Sequence, residues 1–165
     1  MAILAFRWPL AHNLGTRVAS MPPRVDYSVV VPVSMDDAFA AFLNHERLLH
    51  RGIYKEAVWV EGEPWQVGSR ARYVVIKPVS AIISAVVSSI TPPRSIHVLN
   101  HGLGVTAEQN VYFAPAPNGG TQVRMTMDFV GKSQDLTPDQ ILSALQFVTK
   151  DMLDNLETFC RRRVG

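Results

Sequence analysis

The chain has 165 residues, enough for one domain that buries about two-thirds of its unfolded surface. Hydrophobic residues make up 47% and charged residues 18%, which excludes disorder as the overall state and leaves apolar area for an internal pocket or a partner. The formal net charge of +2 comes from scattered Lys and Arg, and the one basic run, Arg161-Arg162-Arg163, reads as a solvated helix end that complements the helix dipole, with no nucleic-acid module beside it.

Residues 1–25 carry Arg7, Arg17 and Arg24 with no acid before Asp26. Arg7, Pro9, His12 and Asn13 interrupt every apolar run there, so a secretory signal is not expected. A basic, acid-poor segment also fits a mitochondrial presequence, but the plainer reading is a dispensable N-terminal extension ahead of a domain at 26–163. Cys160 is the only cysteine, so no intrachain disulfide is expected and a cytoplasmic location is the default. No stretch of about 18 apolar residues exists, so no transmembrane segment is expected.

The first element is Asp26 to Val33, a β-branched run whose late proline places the strand near a sheet edge. Ser34 then reads as a helix N-cap, with Asp36 and Asp37 in the first turn and Ala38, Phe39, Phe42 and Leu43 on the buried face. A helix over Met35 to Asn44 is followed by a second helical turn over His45 to His50, ended by Gly52, so the two pieces form a V. From Tyr54 the period changes to two. Tyr54 to Glu61 and Ser69 to Ile76 are strands flanking a Gly62-Glu63-Pro64 turn, and Val79 to Ile90, uncharged throughout, reads as a long, well-buried strand stopped by Pro92-Pro93. Ser95 to His101 and Val105 to Phe113 pair through Gly102-Leu103-Gly104, and Pro115 to Gly120 is a turn before the last strand, Thr121 to Val130. In that strand Thr121, Val123, Met125, Met127 and Phe129 alternate with polar residues, giving one apolar and one wet face.

Thr137-Pro138-Asp139-Gln140 opens the closing helix, where Ile141, Leu145, Val148, Met152, Leu156 and Phe159 step by fours and threes along one stripe. Leu156 and Phe159 read as plain core, while Leu145, Val148, Thr149 and Met152 are the helix positions expected to meet a ligand. Strands joined by short turns rather than by helices imply an antiparallel α+β fold.

This order resembles the START-like helix-grip superfamily (SRPBCC), which includes the birch-pollen allergens, lipid-transfer START domains, polyketide cyclases and aromatases, and coenzyme Q-binding proteins. The residues that carry the resemblance span Asp26 to about Arg162: the β-branched opening strand followed by Val33 to Phe39, then Val67-Gly68-Ser69-Arg70, Thr91 to Ile96, and Gly119 to Val123. The resemblance implies a seven-stranded curved antiparallel sheet gripping the long helix over a deep, mostly apolar cavity. It implies no shared catalytic residues. The cavity would be lined by the concave sheet face and the inward stripe of the last helix, which nominates Tyr73, Val75, Gln109, Val111, Met125 and Met127 together with the four helix residues above.

Tyr73 shares a face with Ala71 and Val75, where its phenol would either orient a carbonyl or hydroxyl ligand or serve as a core tyrosine reaching the surface. Met125, Met127 and Met152 suit an irregular apolar ligand but are equally at home in an ordinary core. Gln109 and Asn100 are candidates for neutral polar contacts. His97 and His101 share a parity opposite to Ile96, Val98 and Asn100; solvent is favoured for both, and if they turn inward they join Tyr73 as acid–base candidates for an enolisation or aldol cyclisation. No histidine spacing fits a metal site, and no cofactor motif is present. Three functions remain open: a binding or transport protein, monomeric or homodimeric, for a small hydrophobic or lipid-like molecule; a cyclase- or aromatase-like enzyme; and a co-chaperone-like or regulatory interaction module.

Overall fold

Seven strands and three helices follow one another in the expected order in the computed structural model, which describes residues 24–165. The expectations for the leader, other than Arg24 and Val25, lie outside the described residues. Strand β1 (Val25–Val31) leads to α1 (Met35–Leu43) and α2 (His45–Leu48). Then come β2 (Tyr54–Glu61), β3 (Arg70–Val75), β4 (Ala81–Thr91), β5 (Ser95–Gly102), β6 (Val105–Pro115) and β7 (Thr121–Gly131), and α3 (Pro138–Val164) closes the chain. The architecture is α+β. The sheet runs β1-β7-β6-β5-β4-β3-β2 and every adjacent pair is antiparallel.

Local chemistry sets the helix starts. Ser34 Oγ accepts the Asp37 amide at 3.2 Å, and Asp36 and Asp37 put negative charge in the first turn of α1. Thr137 and Gln140 form a reciprocal capping box: Thr137 Oγ1 accepts the Gln140 amide at 3.2 Å, and Gln140 Oε1 accepts the Thr137 amide at 2.9 Å. Pro138 then occupies the first helical turn, where its missing N–H leaves no bond unmade.

Both end strands of the sheet are edges, but they differ. Along β1 the α3 helix leans over the sheet, and Tyr27 donates its hydroxyl to Asp154 Oδ1 at 2.9 Å. At the other edge, β2 pairs among the described residues with β3 alone, and its register shifts between Tyr54 and Glu56 and again between Trp59 and Glu61. Four consecutive residues, Glu56 to Trp59, keep regular pairing between those two irregularities.

Two expectations are corrected. The β4 strand is buried on one face rather than throughout: Ala85 and Val87 are buried, whereas Ile82 is 68% exposed. Among the described residues no layer covers the sheet's outer face, so along β4 alternate residues reach the interior, and an irregularity between Val87 and Ser89 resets that alternation so that Ile90 packs on the core. On α3, the fully buried residues are Ile141, Thr149, Leu153, Leu156 and Cys160. Leu145, Val148, Met152 and Phe159 are half-buried. The deepest line of the helix therefore runs through a threonine, a leucine and a cysteine that the apolar stripe passes over.

The interior is divided. The larger cluster joins β1, α1, the upper sheet and the end of α3 through Val31, Phe42, Ile96, Val111, Leu153 and Leu156, among others. The smaller one joins Val25, Ala107, Met127, Phe129 and Ile141. Aromatic contacts consolidate the larger cluster, with Phe113 tilted against Phe39 at 5.2 Å and edge-on to Phe42 at 6.0 Å between ring centroids.

A candidate ligand cavity beneath the closing helix

A cavity of about 130 Å³ lies between the concave sheet face and α3, with walls drawn from both hydrophobic clusters. Val98 and Met125 come from one cluster, Ala107, Met127 and Ile141 from the other. The two-residue period of β3 turns Ala71, Tyr73 and Val75 inward and leaves Arg70 and Arg72 outside, where they pair with Glu61 and Glu56. The same alternation on β6 and β7 brings Gln109, Met125 and Met127 to the wall. From α3, Leu145, Val148, Thr149 and Met152 face the opening, which is why three of them remain half-buried.

Nine of the ten ligand-contact candidates from the sequence thus line this space. Val111 does not. It is fully buried in the larger cluster, because Phe39 and Phe42 of α1 fill the region around Phe113 on the same strand. His97 and His101 lie on the outer face and are not part of the cavity wall. His97 Nδ1 pairs with Asn110 Oδ1 across the strands, and His101 Nδ1 lies 2.9 Å from Thr106 Oγ1.

The histidine beside Tyr73 is His45. The Tyr73 hydroxyl lies 3.2 Å from His45 Nδ1, and both residues border the cavity. Burial lowers the His45 pKa from 6.5 to about 4, so the ring is neutral near pH 7. Burial also raises both phenols above the ordinary tyrosine range, with Tyr54 adding to the effect on Tyr73 and the Asp151 carboxylate adding to that on Tyr54.

Three aromatic rings frame His45. Trp65 meets it edge-on at 4.6 Å between centroids, Trp59 lies nearly parallel at 6.4 Å, and Tyr73 is tilted at 5.6 Å. Trp65 reaches this position with a φ of 64°, a left-handed backbone that is an outlier for so bulky a residue and costs about 1–3 kcal/mol. Its indole N–H donates to the Leu43 carbonyl at 2.9 Å, fixing the ring against the end of α1.

A second polar group lies elsewhere on the wall. Asn100 Nδ2 donates to Gln109 Oε1 at 3.1 Å, and Gln109 Nε2 lies 3.7 Å from Met125 Sδ. Thr149 donates its hydroxyl to Met127 Sδ at 3.1 Å. Among the described residues no three His, Cys, Asp or Glu side chains gather as a metal would require.

Sequence reasoning overlooked His45, Tyr54 and Trp65 as wall residues. A signal existed for the first: His45, Leu48 and Leu49 stand at i, i+3 and i+4, one helical face, and Leu48 and Leu49 are buried. Trp65 belongs to a turn, where no periodicity reports orientation.

No family model matches the chain, and no curated protein matches it. Solved structures do. The Zhui aromatase/cyclase from Streptomyces sp. R1128 superposes with a TM-score of 0.70 at 17% identity, covering 86% of this chain and 94% of that one. A START superfamily protein from Mycobacterium smegmatis gives a TM-score of 0.67 at 14% identity, covering 84% and 97%. Ara h 8.0201 gives the same TM-score, identity and coverages. The chain has the START-like helix-grip fold. Identities this low carry the fold and leave the chemistry of each member to its own cavity. Cavities for hydrophobic ligands are typical of the helix-grip architecture. Among the described residues, no helix is long and apolar enough to cross a membrane.

Proposed function

We propose that this helix-grip protein binds or carries a small hydrophobic molecule in the cavity beneath α3. The observation that carries the reading is the apolar gap between the two hydrophobic clusters, walled by methionines and by the half-buried Leu145 and Val148 of α3. Thioethers adapt to irregular apolar shapes, which suits a ligand wall. Native mass spectrometry after mild purification is the test: a retained or exchangeable hydrophobic ligand is expected. A protein that neither carries nor takes up any apolar molecule would refute the reading.

The His45–Tyr73 pair favours a second reading, a cyclase- or aromatase-like enzyme. Tyr73 would donate to a substrate carbonyl while the neutral His45 ring accepts the proton released on enolisation. Proton transfer is best driven when the catalytic pKa lies near the working pH, and a base near 4 is well below it. That mismatch is why binding is placed first. Turnover abolished by Tyr73→Phe with ligand affinity retained would reverse the order. An interaction module would present an exposed apolar patch in place of a deep cavity, and the cavity beneath α3 favours binding instead.

A further inference from the structure

The cavity wall is apolar but not uniformly so; apart from the Tyr54 hydroxyl and from the Trp65 N–H and Thr149 hydroxyl, which are already bonded to Leu43 and Met127, its side-chain polar atoms among the described residues fall in two places. At one, Tyr73 and His45 share a single contact inside an aromatic frame. At the other, Asn100 and Gln109 form an amide pair whose remaining donor and acceptor atoms have only a methionine sulfur as a further side-chain partner among the described residues. Among the described residues, no Asp, Glu, Lys or Arg lines the space. The Asp151 carboxylate, whose charge acts on Tyr54, lies off the wall and accepts from Asn155 Nδ2 at 3.1 Å.

Strand register sets the distance between the two places. Tyr73 is opposite Ile83, while Asn100 is opposite Ala85, which in turn is opposite Ala71. Tyr73 and Asn100 are therefore two strands apart and two residues out of line. With about 4.8 Å between strands and about 3.4 Å per residue, their backbones are roughly 12 Å apart. Both side chains point to the same concave face, so one molecule can meet both.

We infer that the cavity takes an uncharged, flat ligand with a hydrogen-bonding group at each end, one met by Tyr73 and His45 and the other by Asn100 and Gln109. This rests on the cavity-binding reading and narrows it. An ionised carboxylate or phosphate would be buried without a counter-charge, since among the described residues the titratable groups on the wall are an imidazole held neutral and two phenols held protonated. An aliphatic ligand would leave the polar ends unmatched and gain little from the flat faces of Trp65 and Tyr54.

Isothermal titration of the full chain at pH 7 with naphthalene, 2,6-dihydroxynaphthalene and naphthalene-2,6-dicarboxylate tests this. The diol should bind roughly tenfold tighter than naphthalene, and the dicarboxylate at least about 100-fold weaker than the diol. Tyr73→Phe and Asn100→Leu should each weaken the diol by about tenfold while leaving naphthalene within about twofold, so that naphthalene binding also reports that each variant is folded. A dicarboxylate that binds as well as the diol overturns the requirement for an uncharged ligand. Equal losses for diol and naphthalene overturn the two polar ends. In both cases the cavity-binding reading stands. Failure of all three probes overturns this inference, and native mass spectrometry with no retained ligand would then remove the cavity reading as well.

Discussion

Protonation of His45 should be visible as a loss of stability in mild acid. Its pKa is lowered by burial from 6.5 to about 4 in the folded protein. The unfolded chain takes up the proton near 6.5 and the folded protein only near 4. The neutral ring's contribution is therefore complete above 6.5, declines as pH falls from 6.5 to 4, and is gone below. Each pH unit across that window is worth about 1.4 kcal/mol, so the whole effect is about 3 kcal/mol and the part between pH 7 and pH 5 about 2 kcal/mol. The perturbation is His45→Gln, which retains a polar group for the Tyr73 hydroxyl and cannot titrate. Urea denaturation of both proteins at pH 7 and pH 5 gives four stabilities. Contributions from groups other than residue 45 are common to both proteins and cancel in the difference. The wild type should lose about 2 kcal/mol more than the variant between the two pH values. Parallel losses would mean that the His45 ring is solvated, and the uncharged character assigned to that end of the cavity would fall with it.

Leu153→Ala removes a side chain that is fully buried where α3 meets the larger cluster, and a loss of about 2–5 kcal/mol in urea denaturation is expected. A loss below about 1 kcal/mol would show that the helix does not seat there as described. Thr137→Ala dismantles the capping box and should cost about 1 kcal/mol with ligand affinity unchanged; no change in stability would mean that the box does not hold α3 in solution. His97→Ala alters only the outer face, so binding of an apolar probe should stay within about twofold; a larger loss would place His97 back among the functional residues.

Much of the fold was legible because its signals are local. The β-branched run from Asp26, the Ser34 cap and the Thr137 capping box each act within a few residues, and the elements they mark form where expected. The alternation of Thr121 to Phe129 likewise reports one buried face directly, although Thr126, expected on the wet face, is buried as well. What escaped depends on contacts across the chain. Val111 has the same parity as Gln109, yet α1 packs over one and the cavity opens over the other. On α3 the apolar stripe passed over Leu153 and Cys160, which are fully buried, although Leu145 and Val148 border the cavity as expected of them. The His45–Tyr73 pair joins residues 28 apart in sequence, through a turn of helix and a strand that give no hint of meeting.

The irregular pairing of β2 has a consequence for how the protein behaves in a crowded solution. An open sheet offers its last strand to other chains as a template, and β2 carries exposed Val58 and Val60, which add apolar surface to that offer. The two register shifts interrupt the template, leaving a regular stretch of only four residues, and Lys55, Glu56 and Glu61 place charge along it. Protection against edge-to-edge aggregation therefore lies in the backbone of β2 more than in its side chains. Deleting one residue to straighten the strand would be more hazardous than adding a further apolar one.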